Sequence, residues 1–87
     1  MNYIKISSVQ DSNVSIITEI TTNNFSVLIK LLSESSLIIK NSEIKSMNLI
    51  ESKELFHIVI SQIDRYLPSI TAPFCRHVVS GGIIYEW

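Results

Sequence analysis

Between Ser52 and Leu67 the chain reads SKELFHIVISQIDRYL, with apolar residues recurring at helical spacing. At about 100° per residue, Leu55, Phe56, Val59, Ile60, Ile63, Tyr66 and Leu67 share one arc of roughly 140°. Lys53, Glu54, His57, Ser61, Asp64 and Arg65 fill the opposite arc, which only Ile58 interrupts. The pattern predicts an amphipathic helix over 52–67. Ser52 is the expected N-cap, Glu54 suits the first turn, and Pro68, which has no N–H to donate, is the expected stop. Burying seven such side chains at about 1.5–3 kcal/mol each makes this helix the organising contact of the fold.

Elsewhere the period is closer to two. Ile4 and Ile6 alternate with Lys5 and Ser7, which predicts a half-buried strand over residues 2–9 followed by a turn at Gln10–Asn13. Next, Val14, Ile16, Thr18 and Ile20 line one face of a second strand and Ser15, Ile17, Glu19 and Thr21 the other. The segment FSVLIKLLSE fits both periods: Phe25, Val27, Ile29 and Leu31 alternate, whereas Phe25, Leu28, Ile29 and Leu32 make a helical set. A strand is preferred, because the turn before it and the short apolar segment after it make a meander the simpler topology. The alternative is a helix over 24–34, with element order ββαββα. Residues 37–40 and 43–49 are expected to form a further hairpin about Asn41-Ser42.

The end of the chain, FCRHVVSGGIIYEW, reads as a β-hairpin turning at Gly81-Gly82. That loop sets Val79 opposite Ile84, Val78 opposite Tyr85, His77 opposite Glu86 and Arg76 opposite Trp87. The fold expected is a single α+β domain over 1–87 in two layers. An antiparallel sheet, made of a meander of about five strands plus the C-terminal hairpin, packs on one main helix at residues 52–67.

Composition narrows the function classes. At 87 residues the chain builds one small core, and its 46% hydrophobic and 17% charged content is that of a globular protein. Seven basic and eight acidic residues are spread along the whole length, without the cationic cluster that nucleic-acid binding requires. Cys75 is the only cysteine, which rules out an intrachain disulfide and suggests a reducing compartment. The start, MNYIKISSV, lacks the apolar core of a secretory signal, and the densest apolar run, VLIKLL, is far short of the ~20 residues that cross a bilayer. A cytoplasmic location is expected. Heavy use of Ile, Ser, Asn and Lys suggests AT-rich coding DNA, as in a bacterial mobile element or phage.

No cofactor, metal or nucleotide motif is present. Cys75 and His77 lie two apart on the last hairpin with Glu86 opposite, supplying a thiol, a base and a carboxylate, the parts of a minimal cysteine enzyme. Alternate strand residues are ~6.5–7 Å apart, however, and nothing specifies an oxyanion hole. An ordinary cross-strand pair beside a small buried thiol is the simpler account. At His57, the helical i+4 position that a second metal ligand would need is occupied by Ser61. Glu51 and Glu54 are acidic residues where a helix dipole favours them. Arg76, Tyr85 and Trp87 share one hairpin face and are of the types enriched in interface hot spots, although part of that face must cover the core, which leaves the outermost pair, Arg76 and Trp87, as the more exposed. Together with Ile58 on the polar side of the helix, they are the candidate partner-binding residues. Arg76 and Trp87 are also a candidate cation–π pair.

The function expected is that of a small non-catalytic inhibitor that occludes a toxin or host enzyme. In size, composition and lack of a catalytic signature the chain resembles, in type and without any shared motif, bacterial toxin-immunity proteins and phage anti-defence inhibitors. The alternatives are an obligate subunit or homodimer built through sheet-edge pairing and, behind it, the Cys75/His77 enzyme.

Overall fold

The computed structural model describes residues 1–87 as β1 (Tyr3–Asp11), β2 (Val14–Thr22), α1 (Phe25–Ser33), α2 (Asn41–Lys45), α3 (Leu49–Ile70), β3 (Cys75–Val79) and β4 (Gly82–Glu86). The strands form one antiparallel sheet in the order β2-β1-β4-β3. Two local hairpins thus meet along β1 and β4, and α3 lies across β2 and β1 on one face. The two-layer α+β architecture matches the sequence expectation, with four strands in place of the larger number.

β1 and β2 turn at Ser12-Asn13. Both residues have positive φ, 52° and 68°, as a two-residue type I′ hairpin loop requires. Ser7 pairs with Glu19 but Ser8 pairs with Ile17, leaving Thr18 as the extra residue of a β-bulge. The bulge changes which side chains face inward. Ile17 and Ile20, expected on opposite faces, are both buried, while Ile16 is only half-buried.

Residues 25–33 are helical, so the expected third strand is corrected to α1. The Asn24 side chain accepts a bond from the Val27 N–H at 3.2 Å, the N-cap that turns the ambiguous segment into a helix. Leu28, Leu31 and Leu32 face the core, whereas Phe25 and Ile29, on both candidate apolar sets, are exposed. The hairpin expected over 37–49 is also absent. Leu37–Lys40 has no regular structure and Asn41–Lys45 is a short helix, whose first turn is closed by the Lys40 N–H donating to Glu43 Oε1 at 3.1 Å. Ile44, in α2, is buried.

α3 is longer than 52–67 at both ends. Asn48, not Ser52, is the N-cap, accepting from the Glu51 N–H at 2.9 Å, and Ser52 is buried. Pro68 does not stop the helix. So near the end it sacrifices only one bond, and the Thr71 N–H resumes bonding at the Leu67 carbonyl, 2.9 Å away. Of the seven predicted core residues, Leu55, Phe56, Val59, Ile63 and Leu67 are buried and Ile60 and Tyr66 half-buried. They close on Ile4, Ile6, Ile17, Ile20, Ile83 and Tyr85 from the sheet.

The C-terminal hairpin is shifted by two residues from expectation. Val79 pairs with Gly82, Val78 with Ile83, His77 with Ile84, Arg76 with Tyr85 and Cys75 with Glu86, so Ser80-Gly81 is the loop. Gly82 is a strand residue at φ +136°, pressed so close to β1 that a Cβ there would lie 2.0 Å from the Ile6 carbonyl oxygen. This glycine serves a close backbone approach, not the turn. A shift of two leaves every side chain on its expected face.

Candidate interaction surface

The hairpin register decides what the C-terminal residues can do. Arg76, directly opposite Tyr85, meets Asp64 of α3. The Tyr85 hydroxyl donates to Asp64 Oδ1 at 2.7 Å, and Arg76 Nε lies 3.4 Å from that hydroxyl and 3.3 Å from Asp64 Oδ1. Burial, above all, holds the Tyr85 hydroxyl far above the ordinary tyrosine range. The Asp64 carboxylate adds to this and the Arg76 bond opposes it. Arg76 is raised in turn, first by its bond to Tyr85.

Tyr85 has no accessible surface, so it belongs to the part of the face that covers the core, its candidacy as a partner-binding residue is corrected, and it ties β4 to α3 from inside. The expected Arg76–Trp87 cation–π pair is likewise replaced, since Arg76 lies 5.9 Å from the Tyr85 ring centroid. Trp87 is half-buried against the core. Ile58 is exposed on α3, away from any cleft. The four candidate partner-binding residues therefore do not make one patch.

On the sheet face away from α3, His77 Nε2 lies 3.0 Å from Glu86 Oε1, diagonal to it and not directly opposite. Cys75 is exposed, and these three line an open cleft of about 220 Å³ with Phe74 and Trp87. A thiol, an imidazole and a carboxylate thus share the face expected of them, with Glu86 directly opposite Cys75 instead of His77. No group of three His, Cys, Asp or Glu side chains is placed to hold a metal ion. His57 is exposed and packs edge-on against Phe56.

The two edges of the sheet differ. Along β2 the Thr18 bulge breaks the ladder, and the Asn41 side chain takes the place of a neighbouring strand: its Oδ1 accepts from the Ile20 N–H at 2.8 Å and its amide donates to the Ile20 carbonyl at 2.9 Å. Bulges and covering elements are how sheets block edge pairing. β3 has neither. All five of its residues are exposed, Val78 to 72%, and it contains no Lys or Pro.

The direction of the β3 main-chain groups follows from the ladder. Asn2 and Trp87 exchange both N–H···O bonds, at 2.9 and 3.0 Å, and Ser8 bonds Gly81, so odd-numbered residues of β4 address β1. Even-numbered ones address β3, where 75, 77 and 79 answer them. Arg76 and Val78 consequently turn their N–H and C=O groups to the free edge. On the α3 side, Val78 also borders a groove of about 280 Å³ with Phe56, Arg76 and Ile83, because α3 sits over the other half of the sheet.

Neither Asn41 nor Val78 stands out in the sequence, where Asn41 reads as a turn residue and Val78 as an ordinary alternating one. The available signal was a short strand ending in two valines, with no gatekeeping Lys or Pro. No family model, curated protein or solved structure matches this chain, and no helix is long and apolar enough to cross a membrane.

Proposed function

We propose that this protein is a non-catalytic, cytoplasmic binding protein that engages another polypeptide through the free edge of β3. The observation that carries the proposal is the contrast between the edges. β2 is closed by Asn41 and a bulge, while β3 presents outward main-chain groups and an exposed valine. Strand addition to such an edge gains affinity from main-chain bonds and specificity from side chains on alternate faces. The action is steric: an inhibitor of the immunity or anti-defence type, which covers a surface that a toxin or host enzyme needs.

The test is affinity capture from the source cell with the wild-type chain and a Val78→Pro variant. The Val78 N–H points away from β4, so proline there removes a donor from the free edge and none from the internal ladder. Severalfold lower recovery of the bound protein by the variant is expected. Equal recovery from a folded variant rules out the edge as the contact.

A further inference from the structure

We infer that the β3 edge also pairs with β3 of a second copy, joining two four-stranded sheets into one of eight strands about a two-fold axis at His77. This rests on the reading that the edge is a polypeptide contact, and it names one polypeptide the edge accepts.

The register is constrained. Only residues with outward main-chain groups can exchange bonds, so Arg76 and Val78 must meet even-numbered residues of the second copy. Centring on Arg76 sets two guanidinium groups face to face. Centring on Val78 leaves Cys75 and Arg76 beyond the end of the other strand. Centring on His77 pairs all five residues of β3: Arg76 with Val78, Cys75 with Val79, and His77 with its own copy. About four main-chain bonds then form.

This arrangement sets no charges of like sign directly opposite without a carboxylate beside them, and it brings apolar surface together. Arg76, already neutralised by Asp64 at 3.3 Å, meets an uncharged valine, and its aliphatic stem lies across from the exposed Val78. The two Val78 side chains become diagonal neighbours on the helix side of the joint sheet. The facing imidazoles on the other side each bring a Glu86 carboxylate at 3.0 Å, so the axis carries no uncompensated cation. A heterologous inhibitor target that adds a strand at this edge has to displace the second copy, and its apparent affinity falls as the protein becomes more concentrated.

Light scattering across micromolar to submillimolar concentrations is expected to show a mass rising from 9.9 kDa toward twice that value. The Val78→Pro chain should remain at the monomer mass. A Val79→Cys variant tests the register without weakening the edge. Cys75 and the new cysteine would face each other as a non-hydrogen-bonded pair with Cα atoms about 4.5 Å apart, within disulfide range. Mild oxidation should give a covalent dimer, and adding Cys75→Ser should abolish it. A wild-type monomer at every concentration overturns self-pairing, as does a dimer that Val78→Pro leaves intact and Val79→Cys does not cross-link. In either case the capture experiment still decides whether the edge binds another protein.

Discussion

Tyr85 carries more of the fold than its position next to the chain end suggests. Its ring is fully buried and its hydroxyl reaches Asp64, so one residue links the sheet's inner strand to α3. Because burial raises its pKa, the folded state keeps the phenolic proton where the unfolded state releases it. The stabilisation is complete below the ordinary tyrosine pKa of about 10 and is lost as pH rises above that value. Chemical denaturation should therefore show wild-type stability falling in the alkaline range more steeply than that of Tyr85→Phe. At neutral pH the variant should be less stable by about 1 kcal/mol, the usual net value of one hydrogen bond, because the half-exposed Asp64 can return to water and to Arg76. Equal alkaline slopes for the two proteins would remove Tyr85 as the source.

At the scale of elements, what was legible in the sequence was whatever depended on local pattern. The apolar arc of α3 and the faces of the C-terminal hairpin follow from spacing alone. The ends of α3 did not, because Asn48 and Ser52 are both good caps and tertiary burial of Ser52 decides between them. Residues 25–33 fit two periods, and the choice was made by the Asn24 cap and by burial of Leu31 and Leu32. The structure of residues 37–49 is not legible locally because Asn41 serves a strand 21 positions earlier, a pairing no local window contains. Asn41→Ala removes both bonds to Ile20 and is expected to lower stability by about 1–3 kcal/mol, the cost of leaving partly buried main-chain groups unpaired. A urea titration measures it, and a loss indistinguishable from zero would mean that water replaces the amide. The candidate contact surface was the least legible part, since it is defined by strand order and by which edge lies covered.

For the molecule as a whole, the ladder between β1 and β4 joins the two ends of the chain, and α3 closes over the side where β1 and β2 lie. Stability is consequently uneven across the sheet. Ile4, Ile6, Ile83 and Tyr85 are core residues whose amides face each other across β1 and β4, so they should exchange with solvent deuterium only through global unfolding. Arg76 and Val78 amides, turned to the free edge, have no internal acceptor and should exchange fast in dilute solution. If β3 pairs with its own copy, those two amides alone among the sheet's amides should become slower as concentration rises, while Cys75, His77 and Val79, already bonded to β4, change little. An alternation of this kind within one five-residue strand is a signature that neither nonspecific association nor packing of the sheet faces would produce, because both would slow neighbouring amides alike.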